Sequence, residues 1–203
     1  IQLFGEKNYT GAIEQFANSI KADPNFTAAF YNKGVAENEA GNFREAVKTL
    51  DQLITIDPNY SKAYFQRARA LQGNNDYLKA ELDYTKSIQL DPKNPKAYYN
   101  FGTLKFLQLD YPEAIKHFTT AIQLDANFAF AYNDRGSCHR MMNNYPKAIL
   151  DYEEAVKKNP KLAFVLNNIG TTKKKMKDYP GAMAAFNRAI SVDPNFFMAY
   201  NNR

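Results

Sequence analysis

Only one cysteine, two histidines and no tryptophan occur in this 203-residue chain. A lone Cys138 excludes an intramolecular disulfide and any cysteine-built metal centre, and it reads as a packed small residue. His117 and His139 have no second His or Cys at metal-ligand spacing, so no metal is expected. Also missing are a Gly-rich phosphate loop, a G-x-S-x-G elbow and a Cys/His couple of nucleophilic type, since Cys138 and His139 are neighbours whose helical side chains diverge by about 100°. Carboxylate pairs such as Glu153 and Glu154 read as solvated surface. The sequence therefore predicts no enzyme and no cofactor in this segment. No run of about 18 uninterrupted apolar residues offers a membrane span. Residues Ile1 to Lys7 lack the basic start and apolar stretch of a secretory leader. The missing initiator Met marks a trimmed or processed chain and leaves a removed leader open, so location is unassigned, with the cytoplasm favoured over other compartments.

What is present argues for a folded chain with an extensive core: 45% of residues are hydrophobic and 14% aromatic. The net charge of +5 is unevenly spread, about −3 over residues 1 to 60 and about +6 over 129 to 203.

The sequence repeats itself. Asp23-Pro24, Asp57-Pro58, Asp91-Pro92, Asp125-Ala126, Asn159-Pro160 and Asp193-Pro194 recur every 34 residues without a slip. In the same phase stand an alanine column (Ala12, Ala46, Ala80, Ala114, Ala148, Ala182) and an aromatic column (Tyr9, Phe43, Tyr77, Tyr111, Tyr145, Tyr179). Ala46, Leu50, Leu53 and Ile54 fall on one helical face, which defines the second helix of each unit. Asn8, Asn42, Asp76, Asp110, Asn144 and Asp178 stand where a short oxygen-bearing side chain caps such a helix, and Glu45 and Glu113 complete candidate capping boxes. Pro112, Pro146 and Pro180 occupy the first turn, where a missing N–H costs little, and the Asp-Pro pair closes the helix.

The first helix of each unit carries Ala-aromatic pairs (Ala29-Phe30, Ala63-Tyr64, Ala97-Tyr98, Ala131-Tyr132, Ala199-Tyr200) followed by Gly34, Ala68, Gly102, Gly136 or Gly170. Small residues inside a helix cost stability unless a neighbouring helix approaches closely there. One such pair cannot bury its faces alone, so successive pairs must stack into a curved array with an inner and an outer surface.

These columns closely resemble the tetratricopeptide repeat family over the whole chain. The resemblance implies an all-α, right-handed superhelical solenoid of antiparallel helix pairs, here a single array. Full repeats run 27–60, 61–94, 95–128, 129–162 and 163–196, with the rear part of a repeat at 1–26 and the start of a further one at 197–203. Both ends fall inside a repeat, which points to a fragment of a longer array. The RNA-binding pentatricopeptide family differs by a repeat usually one residue longer and by lacking the alanine column. One departure from the family pattern is the column near the end of the first helix, which reads Glu37, Leu71, Lys105, His139, Lys173 where a bulky apolar residue is usual.

Family members line their inner surface with the first helices, and the positions that stacking does not need lie there. One column reads Asn32, Gln66, Asn100, Asp134, Asn168, Asn202. A carboxamide both donates and accepts, so a ladder of them suits an extended peptide backbone, as in several members of the family. The same residues could instead buttress neighbouring helices. Beside them, aromatic anchors shift sides, from Tyr31, Phe65 and Tyr99 to Phe130 and Phe164, with Met198 following and Asn133, Asn167 and Asn201 replacing the first set. Lys62, Arg69, Lys96, Arg140, Lys174 and Lys175 outnumber Glu39 and Asp134 on this face and favour a partner with acidic groups. For the family's chaperone-tail clamp the first pair would read Tyr31 and Val35, Phe65 and Arg69, or Tyr99 and Thr103. Lys62 and Lys96 are followed one turn on by Gln66 and Asn100, and no repeat offers the Lys-Arg pair, so that clamp is not expected. The expected function is a non-catalytic protein-protein interaction scaffold that holds an extended peptide or partner protein in its concave groove. The alternatives are an architectural segment that self-associates through exposed repeat ends and, resting only on the basic carboxyl-terminal portion, nucleic-acid binding. Asn8-Tyr9-Thr10, Asn25-Phe26-Thr27 and Asn59-Tyr60-Ser61 match the glycosylation sequon without establishing secretion.

Overall fold

A computed structural model describes residues 8–203; the stretch Ile1 to Lys7, read above for a leader, lies outside the described residues. Among those described there are twelve α-helices and no strand: α1 (Tyr9–Ala22), α2 (Thr27–Glu39), α3 (Phe43–Ile56), α4 (Ser61–Gly73), α5 (Tyr77–Leu90), α6 (Pro95–Leu107), α7 (Tyr111–Leu124), α8 (Ala129–Met141), α9 (Tyr145–Lys158), α10 (Ala163–Lys175), α11 (Tyr179–Val192) and α12 (Phe197–Asn202). The 34-residue period is thus a period of structure, with 13-residue first helices alternating with 14-residue second helices. The chain divides into two compact units, Ile1–Asn100 and Phe101–Arg203. In the first unit α1 to α5 each pack on the next, and in the second α7 to α12 do so; first helices of successive repeats also touch, α2 with α4 in the first unit and α10 with α12 in the second.

Two turn devices set this alternation. After each second helix, the Asp or Asn leaves the helical region, and its Oδ1 accepts the backbone N–H two residues on: Asn25 to Asp23, Asn59 to Asp57, Lys93 to Asp91, Asn127 to Asp125, Lys161 to Asn159 and Asn195 to Asp193, at 2.9–3.2 Å. This turn needs only a short side-chain oxygen, which explains why Asn159 replaces Asp and why Ala126 replaces Pro without shifting the period. After each first helix, a residue with positive φ reverses the chain: Gly41, Asn75, Leu109, Asn143 and Lys177. The following N–H reaches back to the helix, as from Asn42 to the Glu37 carbonyl at 2.8 Å and from Asp110 to that of Lys105 at 2.9 Å.

That left-handed position is comfortable for Gly and Asn but strained for the exposed Leu109 at φ 62°. Replacing Leu109 with Gly is expected to stabilise the protein by about 0.5–1 kcal/mol, the strain relieved outweighing the extra freedom of the unfolded chain. Urea denaturation followed by circular dichroism tests this, and an unchanged or lowered midpoint counts against it.

Side-chain capping is less uniform than the sequence suggests. Asn8, Asp110 and Asp178 accept the N–H of Gly11, Glu113 and Gly181. Asn42, Asp76 and Asn144 make no such bond, and Asp76 instead pairs with Lys79 at 2.8 Å. The capping box expected at Glu45 therefore does not form, and the Glu113 carboxylate pairs with Lys116.

The core is built from the small-residue columns. A large buried side chain of the second helix lies over the small residue sixteen positions earlier: Leu50 over Gly34, Phe118 over Gly102, Tyr152 over Gly136 and Phe186 over Gly170. The six column alanines are buried in the same layer. In the second unit this core joins Ala148, Tyr152, Val165, Leu166, Ile169 and Ala185. Cys138 is fully buried, as its reading as a packing residue expected, and burial pushes its thiol up to about 12.

Candidate functional site

Two further columns, sixteen residues apart and missed in the sequence, fasten each first helix to its own second helix. They read Lys33–Thr49, Arg67–Asp83, Phe101–His117, Arg135–Asp151 and Ile169–Ala185. Lys33 donates to Thr49 Oγ1 at 2.8 Å and to Glu37 Oε1 at 2.7 Å. Arg67 is bidentate to Asp83 at 2.7 Å and reaches back to Asp51 at 2.6 Å. Phe101 stacks on His117 with centroids 4.1 Å apart. Arg135 is bidentate to Asp151 and donates to Thr119 Oγ1 at 3.1 Å. Although burial disfavours its charge, the bonds to Asp83 and Asp51 hold the Arg67 guanidinium above its ordinary pKa. The arginines thus bridge their own and the preceding second helix, and the polar residues of the irregular column at 37 have neighbours of their own. Glu37 is buried beside Lys33, Lys105 lies over the Phe101 ring, His139 stands 3.9 Å from Asp151, and Lys173 faces Asp178 at 3.7 Å.

The face of the first helices opposite this fastening is the candidate site. In the second unit its centre is a carboxamide ladder. Asn168 Nδ2 donates to Asn133 Oδ1 at 3.1 Å, Asn202 Nδ2 donates to Asn167 Oδ1 at 2.8 Å, and Asn133 Nδ2 donates to Asp134 Oδ1 at 2.8 Å. The sequence column therefore pairs with its neighbouring column one repeat away, a spacing of 35 rather than 34. Asn133 and Asn167 are buried by this, while Asp134, Asn168 and Asn202 remain half-buried.

The first unit treats the same columns differently. Asn32 is exposed, but Gln66 is only 6% exposed and receives Asn38 Nδ2 and Arg69 on its Oε1. Phe65 is 8% exposed against Tyr84, so it is a core side chain rather than the anchor expected of it. Tyr31 is half-buried with its ring 5.7 Å from that of Tyr60. Arg69 pairs with Glu39 at 3.1 Å. Lys62 and Lys96 are exposed, and Tyr99 is half-buried. Asn100 donates back to the Lys96 carbonyl at 2.8 Å.

In the second unit Phe130 is 45% exposed and stacks on Phe164, centroids 6.2 Å apart and planes 16° from parallel. Met198, at the same repeat position on α12, is also exposed. The helix ends are basic: Arg140 closes α8 and Lys174 closes α10, Lys174 donating to the Asn202 carbonyl at 3.5 Å. Arg140 Nε donates to the Tyr152 hydroxyl at 3.3 Å, and Ser137 Oγ lies 3.1 Å from that hydroxyl. Tyr84 reaches the same repeat position in the first unit and donates to Gln72 Oε1 at 2.8 Å. Where the second-helix residue is Phe118, its counterpart is Phe106, and both line an apolar pocket of about 330 Å³ with Thr103, Leu107, Asp134 and Ser137. The two tyrosines thus each have a polar partner twelve residues earlier, Gln72 and Arg140, and Phe118 has an apolar one. Among the described residues no group of His, Cys, Asp and Glu is placed to hold a metal ion, and no helix is long and apolar enough to cross a membrane.

An all-α array of paired helices on a 34-residue period, with one face left over from packing, defines a helical-repeat protein. Sequence models of the tetratricopeptide repeat match residues 3–71, 61–94, 83–116, 129–162 and 163–196, and the chain belongs to that family. A protein-binding scaffold role is typical of its members. Solved structures of similar fold include YrrB, described as a TPR protein with an unusual peptide-binding site, at 18% identity and TM-score 0.73 over 93% of this chain and 97% of that one. MamA residues 41 to the end from Desulfovibrio magneticus RS-1 matches at 19% identity and TM-score 0.76 over 84% and 96% of the two chains. PilF of Pseudomonas aeruginosa matches at 19% and 0.74 over 87% and 88%. No curated protein matches the sequence significantly.

Proposed function

We propose that the chain is a non-catalytic scaffold whose first-helix face binds an extended peptide segment of a partner protein. The observation that carries this reading is the carboxamide ladder of the second unit. Each rung uses one amide hydrogen of Asn168 or Asn202, which leaves that side chain a second hydrogen and its oxygen for a peptide backbone. These groups sit half-buried between an apolar side, with Phe130 exposed and Phe164 half-buried, and a basic side, with Lys174 exposed and Arg140 half-buried, the composition of an interface rather than of a solvated helix surface. The pocket between Phe106, Phe118 and Ser137 adds a place for an apolar side chain. The peptide-binding site described for YrrB accords with this reading.

The test is a double substitution, Asn168→Ala with Asn202→Ala, both at half-buried positions. Proteins retained by the immobilised wild-type chain are identified, and each is titrated by calorimetry against both forms. Affinity is expected to fall at least tenfold with circular dichroism unchanged, about 1.4 kcal/mol of binding. Unchanged affinity for every retained partner sinks the groove reading.

A further inference from the structure

The second unit presents three parallel strips on its first helices, and together they describe a particular partner. One strip is apolar: Phe130 and Phe164 stacked face to face, with Met198 beyond. The middle strip is the ladder, with Asp134, Asn168 and Asn202 half-buried. The third is cationic, made by Arg140 and Lys174 at the helix ends. Arg140 is held ready: its Nε rests on the Tyr152 hydroxyl, and its two terminal nitrogens make no hydrogen bond among the described residues. From Phe130 to Arg140 is ten residues of helix, so the outer strips run about 15 Å apart.

Resting on the peptide-scaffold reading above, we infer that this face takes an extended segment whose side chains alternate between apolar and acidic. In an extended chain successive side chains point to opposite sides. With the backbone laid along the middle strip, its N–H and C=O groups meet the Asp134 carboxylate and the spare amide groups of Asn168 and Asn202. One set of side chains then covers the phenylalanines, and the other carries carboxylates to Arg140 and Lys174, where the guanidinium fork pairs bidentately. A single-stranded nucleic acid also combines charge with flat rings, but the arrangement disfavours it. Phe130 and Phe164 already stack on each other at 6.2 Å, which leaves no gap for a base, and Asp134 sets a like charge beside any phosphate backbone.

Four fluorescein-labelled probes are titrated by anisotropy against the whole chain. They are a decapeptide alternating leucine with glutamate, its block isomer with all leucines before all glutamates, a decapeptide alternating leucine with lysine, and a fifteen-nucleotide oligothymidylate. Expected is at least tenfold tighter binding of the alternating leucine-glutamate peptide than of the other three, weakened tenfold or more by Phe130→Ser. In Arg140→Glu/Lys174→Glu the preference is expected to reverse toward the leucine-lysine peptide, which an unfolded variant could not do. Equal affinity of the wild type for the alternating and block peptides, or tightest binding of the oligonucleotide, overturns the inference. If partners depend on Asn168 and Asn202 while the peptides are not discriminated, the scaffold reading stands and only the alternating-acidic specificity falls.

Discussion

Gly170→Ala is expected to destabilise the protein by about 1–3 kcal/mol, although alanine is the better helix former by about 0.5–1 kcal/mol. A methyl placed at Gly170 meets Phe186 Cε1 at 2.3 Å, Cδ1 at 2.6 Å and Cζ at 2.8 Å. Phe186 is 1% exposed, so its ring has no free volume to retreat into, and relief must come from the α10–α11 spacing. Gly136→Ala is expected to cost less, because Tyr152 stands 3.0 Å from the added atom. Ala68, fully buried at the same repeat position, shows that the fold accepts a methyl there when the helices are seated for it. Urea unfolding of the two variants and of Gly170→Ala/Phe186→Leu measures this. Lost stability for Gly170→Ala, partly recovered in the double variant, is the expected pattern; a gain for Gly170→Ala overturns the close-approach argument.

That packing column was legible because its signal repeats with the fold. Alanine, glycine and aromatic residues recur at a fixed phase when every repeat solves the same steric problem, so period, helix order and helix ends could be read without coordinates. The Asp-Pro junction was legible for the same reason, and the structure adds that the Asp oxygen rather than the proline is its constant part. The groove was only partly readable. Asn32 and Gln66 occupy one column, yet one is exposed and the other buried, because Asn38 and Arg69 close over Gln66. Phe65 turned inward to Tyr84 while Phe130 stayed exposed, a choice made by neighbours rather than by the residue itself. The ladder escaped a column-by-column reading because its rungs join two adjacent columns across repeats. The charged pairs sixteen residues apart escaped because no single column there is constant; only the pairing is. Lys-Thr, Arg-Asp, Phe-His and Ile-Ala are different chemistries for one contact.

The variability of that contact makes the second large effect testable within the chain's own vocabulary. Asp151 is 7% exposed and takes two bonds from Arg135, 2.9 Å from Nε and 2.6 Å from Nη2. Removing either partner leaves a charge in the helix interface that the fold desolvated for a pair, so Asp151→Ala or Arg135→Ile alone is expected to cost about 3 kcal/mol. His139, 3.9 Å from Asp151, is a poor substitute partner, since burial first of all lowers its pKa and favours the neutral ring near pH 7. The repeat at 163–196 carries Ile169 and Ala185 at these two positions, both buried in a continuous apolar core. Arg135→Ile combined with Asp151→Ala copies that solution, and the double variant is expected within about 1 kcal/mol of wild type, the small deficit coming from the lost bond to Thr119 and the contact with Tyr132. The three variants compared in one denaturation series form the cycle. A coupling of several kcal/mol identifies the pair as a means of satisfying buried charge, interchangeable with an apolar contact. If the two losses simply add, Arg135 and Asp151 act separately, and the sixteen-residue column is not the unit that fastens each first helix to its second.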